Sequence, residues 1–435
     1  MPDEQIKLWQ MWDKLIFTKL IRSFKMAIRP TKMTIAMSAV CLVCLIGWIM
    51  DVCTITSPEK KPILESTVST IATFGHEAKT KIYLTDPADA MDAIEEYFID
   101  GQRGVFSTLW NFSAARFNGA TVSLMGRDVL NFFTNIWGFF IGLVWAIKYH
   151  TLYSIVFFTL TVPITCIAGG AISRCAALEF ARGEKAGLGQ AVRFAARNFL
   201  AFLTAPSVCI GIMAFLGLFI YLLGLIGNIP WAGELIIALG LGLALVFGLM
   251  TVLMLIGTTA GACLMFPAIA YESSNGYDAI SRSFCYVFNQ PWRMILYTAI
   301  VTVHGTIAYL FVRFFVYLLL IVTYTMLDLG IFNNPDGPDK LAMIWPKPEF
   351  FDLLATSSAA ISMELNLSQG VSAFLIHLIV IFVVGLVVAF VISFYSCAST
   401  IIYSLIRANV DNVPIDQIYA PLDRIRNSVE NDKHH

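Results

Sequence analysis

"VSAFLIHLIVIFVVGLVVAFVISFYSCASTIIYSL", residues 371–405, runs for 35 positions without an Asp, Glu, Lys or Arg. A helix that is apolar all round belongs either in the core of a large protein or in lipid. Length separates the two. At about 1.5 Å per residue this stretch reaches roughly 50 Å, against a hydrocarbon core of about 30 Å. In lipid a helix satisfies its own backbone hydrogen bonds. The stretch therefore predicts a transmembrane helix that tilts, kinks or projects beyond the bilayer.

The rest of the chain repeats the pattern. Of its 435 residues, 57% are hydrophobic and 14% charged, with mean hydropathy +0.72; soluble domains carry about 25% charged residues. Further apolar runs cover about 33–52, 129–147, 151–172, 199–227, 235–267 and 293–327. The fold class is all-α: a polytopic transmembrane helical bundle of about 6–8 spans, with interfacial amphipathic helices. A formal charge of -1 gives no general attraction to nucleic acid. Nine cysteines, an odd number placed mostly inside or beside apolar runs, do not form a disulfide framework. Cys41 and Cys44, a CxxC inside an apolar run, read as small packing residues.

Residues 5–29, "QIKLWQMWDKLIFTKLIRSFKMAIR", place Leu8, Met11, Trp12, Leu15, Ile16, Leu20 and Phe24 on one helical face. Lys7, Lys14, Lys19, Arg22, Lys25 and Arg29 populate the rest. This predicts a basic amphipathic interfacial helix over 1–32, its cations toward anionic headgroups. A retained transmembrane anchor follows at 33–52. Residues 53–127 read as a polar region with a short helix in "TDPADAMDAIEEYFIDG", capped by Asp86, with Pro87 in its first turn and Gly101 at its stop. A helical membrane domain occupies 128–406 and a polar tail 407–435. Gly240, Gly242 and Gly248 recur where helices should touch, and Gly257 and Gly261 form a GxxxG that permits close backbone approach.

Within the membrane domain, "RGEKAGLGQAVRFAARNFLAF" (182–202) and "AYESSNGYDAISRSFCYVFNQPWR" (270–293) are related by a shift of 88 residues. Glu184 then matches Glu272, and Gln190-Ala191-Val192 matches Asp278-Ala279-Ile280. Each pairs a glycine-bearing turn with a short amphipathic helix leading into a span, giving two elbow units at about 174–227 and 271–327. Asn275 is expected as N-cap, the acids Glu272 and Asp278 serve the helix start, and Pro291 suits the opening of the next span. Arg182, Lys185, Arg193, Arg197 and Arg282 are expected to face headgroups on the cytoplasmic side.

The residues Asn275, Gly276, Asp278, Ala279, Arg282 and Ser283 fit an "(S/N)G-x-(D/E)A-x-x-R-S" elbow. In this the chain resembles uncharacterised bacterial multi-pass membrane-protein families, similar to the membrane domain attached to some glycerophosphodiester phosphodiesterases. The resemblance covers roughly 150–330. It implies a bacterial inner-membrane setting and carries no catalytic residue across; the phosphodiesterase's soluble catalytic domain has no counterpart here.

The basic loop after the 151–172 run belongs on the cytoplasmic side, the acidic 328–370 segment outside, and the tail inside. The basic N-terminus also asks to be inside, which seven spans do not allow. Either one apolar segment between 104 and 172 fails to cross, or 105–125 makes a further passage.

Thr298, Thr302, Thr306, Tyr309, Arg313 and Tyr317 form one stripe at spacings of four and three. The stripe either lines a polar groove, with Arg313 as anion contact, or the threonines bond back to their helix while Arg313 snorkels to the outer interface. His304 and His377 are a bis-histidine pair by residue type alone, and their expected depths differ. No nucleophile elbow, metalloprotease motif, P-loop or dinucleotide fingerprint stands in a suitable context. The chain is read as a non-enzyme with no catalytic residues, metal or cofactor. The expected partners are membrane lipids, with other membrane-protein subunits also open. Its role is an accessory component of a membrane assembly; the alternative is a permease or lipid-handling protein.

Overall fold

The computed structural model describes residues 16–55, 94, 104–229, 233–331, 340–350, 353 and 367–419. Residues 5–15 of the basic N-terminal helix, the 85–101 segment apart from Ile94, much of 328–370 and the tail from 420 lie outside the described residues. Twelve helices and no strand occur among those described. In order they are α1 (Ile16–Ala27), α2 (Pro30–Ile55), α3 (Val105–Met125), α4 (Val129–Tyr149), α5 (Thr151–Arg182) and α6 (Leu188–Arg197). Then follow α7 (Phe199–Ile226), α8 (Gly233–Glu272), α9 (Gly276–Asn289), α10 (Pro291–Gly330), α11 (Lys340–Ile344) and α12 (Leu367–Val410). Seven of these, α2, α4, α5, α7, α8, α10 and α12, are long and apolar enough to cross a membrane. The chain is a multi-pass helical membrane protein. The run that opened the reading lies inside α12, whose 44 residues exceed any bilayer core.

The chain divides into two compact units. The first comprises residues 1–40, 162–311 and 385–435. Within it α7 and α8 pair closely: Phe219 stacks on Phe247 at 5.0 Å, and a side chain at Gly240 would meet Leu223. Much of the rest of their surface is apolar and exposed, as at Leu239, Leu243, Leu245 and Phe215, the pattern of helices solvated by lipid. The GxxxG glycines receive the second elbow helix. A Cβ on Gly257 would fall 2.3 Å from the Phe284 ring and one on Gly261 3.4 Å from Ser283. The motif therefore packs α8 against α9 within the chain.

The interfacial reading of α1 is altered at its described end. Leu20, Met26 and Ala27 are buried, and Phe24 meets Phe390, Phe311 and His304 edge-on. The apolar face is covered by α10 and α12, while Arg22 and Lys25 stay exposed. An amphipathic pattern specifies that one face leaves water and is silent on whether lipid or protein receives it. At the α1–α2 junction Glu179 of α5 binds Arg29 Nε at 2.9 Å and the buried Lys32 Nζ at 2.7 Å. Lys32 also donates to the Met26 carbonyl.

The second unit comprises residues 41–161 and 312–384. Here the expected polar region 53–127 contains a 21-residue helix, α3, antiparallel in sequence to α4 across a three-residue turn. Ile94, Val105, Phe112, Ile141, Trp145 and Ala146 form its buried core. Arg116 lies over the Phe112 ring at 4.8 Å, and Gly138 of α4 leaves it room. The N-terminus of α3 is capped from another helix. Asp51 accepts the Phe106 and Ser107 amides at 2.9 Å each, the Ser107 hydroxyl at 2.7 Å and the Tyr153 hydroxyl at 2.8 Å. The local N-cap residue is Gly104, which has no side chain to do this, and any Cβ there would strike Asp51.

Candidate functional site

The two elbows lie in the first unit and are built alike. Helix α5 ends at Arg182, and Gly183 adopts φ +71 with its amide donating to the Glu179 carbonyl at 3.0 Å. Helix α8 ends at Glu272, and Ser273 adopts φ 53 with its amide donating to Ile269 at 2.8 Å. A left-handed residue after the last turn satisfies an orphan carbonyl and turns the chain. The amphipathic helices α6 and α9 follow. The 88-residue shift superposes their inward positions: Ala191 and Ala195 in α6, Ala279 and Ser283 in α9, all buried. Small residues there let each short helix lie close to its neighbours; Gly276 abuts Thr204 of α7. Pro291 opens α10 as expected.

Local details of the second elbow differ from the sequence reading. Asn275 occupies the N-cap in an extended conformation, but its side chain makes no capping bond. Asp278 lies in the first turn and is exposed. Glu272 does not serve the start of α9. Its Oε1 accepts from Arg282 Nη1 at 2.7 Å and from the Tyr403 hydroxyl at 3.1 Å, and Arg407 Nε makes an ion-pair contact at 3.2 Å. Tyr403 and Arg407 belong to α12, more than 130 residues along the chain, so no local pattern reveals them.

Beyond α12 the chain continues as a non-helical strap, residues 411–419, laid along these elements. Asp411 accepts from the Tyr286 hydroxyl at 2.5 Å and lies 3.9 Å from Arg282. Burial raises the Tyr286 pKa, and the bond to Asp411 and its charge raise it further, so the phenol keeps its proton. Arg182 donates to the Asp416 and Ile418 carbonyls at 3.5 and 3.0 Å, Arg407 to Gln417 at 2.8 Å, and Arg174 to Tyr419 at 2.8 Å. Tyr271, Glu272, Arg282, Arg407, Asp411 and Gln417 contribute to the lining of a cleft of about 410 Å³.

The expected elbow surface is thus sorted into two sets. Arg182, Glu272 and Arg282 are committed to the strap and the α8–α12 network. Lys185, Arg193, Arg197 and Asp278 are exposed, with no ion pair among the described residues. On the first elbow helix Arg193 and Arg197 point to solvent, as does Lys185 in the turn before it, while Ala191 and Ala195 point in.

The α10 stripe is divided. Thr302, Thr306 and Tyr309 belong to the first unit: Thr302 bonds back to the Thr298 carbonyl at 2.8 Å, Thr306 is half-buried and Tyr309 is buried. Arg313 and Tyr317 belong to the second. Arg313 is 2% exposed. It neither snorkels nor awaits an anion. Its Nε donates to the Phe350 carbonyl at 3.0 Å, its Nη1 to Asn118 Oδ1 at 2.6 Å, and its plane covers the Phe350 ring at 4.8 Å. Tyr317 meets the same ring edge-on at 5.6 Å. Lysine cannot reproduce this fork and stack. Arg313→Lys is expected to destabilise the second unit by about 1–3 kcal/mol, read as a lowered unfolding temperature in detergent; an unchanged temperature would remove Arg313 from the bracing.

His304 packs edge-on against Phe24 at 6.5 Å and tilts against Phe394 at 5.7 Å, all in the first unit, whereas His377 belongs to the second. Asp51, Lys32 and Tyr403 carry much of the internal polar bonding and were missed as sites. The usable signal was an ionisable residue at the end of an apolar run, as at Asp51 and Lys32. Comparison with known protein families, curated proteins and solved structures finds no match to this chain.

Proposed function

We propose that this membrane protein is a non-enzymatic accessory component of a membrane assembly in a bacterial inner membrane, docking partners on its cytoplasmic elbow surface. The carrying observation is the division of charge at the elbows. Glu272, Arg282, Arg407, Arg174 and Arg182 hold the chain to itself, whereas Lys185, Arg193 and Arg197 are presented outward. Outward cations on a short helix and the turn before it suit an acidic partner surface or anionic headgroups, and not a reaction. Both termini lie on the cytoplasmic side in this reading. Helix α3 supplies the further passage that makes eight with the seven apolar helices, the even number which that arrangement requires.

Purification in mild detergent is expected to bring down a stoichiometric protein partner. Charge reversal at Arg193 and Arg197 should reduce its recovery by about tenfold while leaving thermal unfolding unchanged, since neither side chain braces the fold. Recovery of a stoichiometric lipid and no protein partner would overturn this reading in favour of lipid handling.

A further inference from the structure

We infer that the groove under residues 411–419 is a binding site for non-helical polypeptide, and that the strap is its removable occupant. Recognition runs through the main chain. The carbonyls of Asp416, Gln417, Ile418 and Tyr419 each accept from an arginine, and the Tyr419 amide donates to the Tyr271 carbonyl at 2.9 Å. Ile418 is the one strap side chain that is buried. Within the strap the Gln417 amide closes a turn on the Pro414 carbonyl at 3.2 Å, so such a site reads a turn and the main chain that follows it, plus one apolar side chain.

The groove does not depend on the strap for its shape. Arg174 also donates to the Ala270 carbonyl at 2.6 Å and covers the Phe194 ring at 4.5 Å. Arg407 pairs with Glu272, and Glu272 is held independently by Arg282 and Tyr403. The Arg174 and Arg407 guanidinium groups are therefore aimed before any peptide arrives, which lowers the ordering cost of binding. The strap, by contrast, is a non-helical segment with eight of its nine residues outside the core, the kind of element that opens locally at low cost. A competing segment need offer only a turn followed by open main chain, with an apolar residue at the Ile418 position. This deepens the docking role and rests on it for the competitor being another protein.

The test uses the full-length protein in detergent and a labelled peptide of the strap's own sequence, DNVPIDQIY. Ile418→Asp removes the buried side chain, and Tyr419→Pro removes the amide that Tyr271 accepts. Both variants are expected to bind the peptide saturably and at least tenfold more tightly than wild type. Amide exchange within 411–419 should rise at least tenfold in both. Adding Arg182→Gln to either variant should abolish peptide binding. Peptide that binds neither variant, or binds all three proteins alike, would overturn the inference and leave the strap a fixed structural segment. That failure is separable from failure of the docking role, because the co-purification experiment reads the α6 cations and not the groove.

Discussion

Glu179→Ala is expected to lower the unfolding temperature by roughly 10 °C. The carboxylate joins Arg29 and Lys32, and the two cations differ in what its loss does to them. The Arg29 side chain keeps 30% exposure and can turn to water, but Lys32 keeps 2%. Without Glu179 the ammonium keeps the neutral Met26 carbonyl at 3.0 Å but no carboxylate, and a buried charge left without its counter-charge costs about 3–5 kcal/mol. At a few degrees per kcal/mol, thermal unfolding followed by intrinsic fluorescence resolves the loss. Glu179→Gln keeps an acceptor and should lose about half as much. The double variant Glu179→Ala with Lys32→Met removes both charges and should recover part of the deficit. If the double variant is no more stable than Glu179→Ala, the uncompensated ammonium is not the cause.

Asp51→Ala should cost the second unit about 3–5 kcal/mol, because it strips the acceptor from two backbone amides and two hydroxyls together. Its signature is local. Amide exchange at Phe106 and Ser107 should rise by more than tenfold, whereas exchange in the middle of α4 should follow the global stability loss. Asp51→Asn keeps one acceptor oxygen and should fall between the two. Exchange at those amides unchanged from wild type would mean that α3 is capped by something other than Asp51.

Asp51 also marks where local reading stops. It ends an apolar run, and an acid at that place reads as the boundary of a span. Its partners Phe106 and Tyr153 are 55 and 102 residues away. Gly104, which looks like an ordinary breaker, is required because Asp51 occupies the space of its Cβ. The elbows were more legible: a turn, a short amphipathic helix and a following span are written within twenty residues, and the 88-residue shift matches the buried small residues of the two helices. Their charges were not legible. Arg193 and Arg282 look alike in sequence, yet one is presented outward and the other is bound to Glu272. Arg313 was open to two readings and took a third, because Asn118 and Phe350 come to it from distant segments.

Membrane class, helical content and the position of most long helices follow from composition and run length, since hydrocarbon selects any uncharged helix of about 20 residues whatever its neighbours. Which charges are spent inside and which are presented depends on pairings between segments as far apart as Arg174 and Tyr419. Their energies depend on burial and exact proximity, and neither is a property of a local stretch. The 371–405 run could announce that it enters lipid. That its end carries Tyr403 and, just beyond, Arg407 to Glu272, and then a strap across the elbow, is decided by the packed chain.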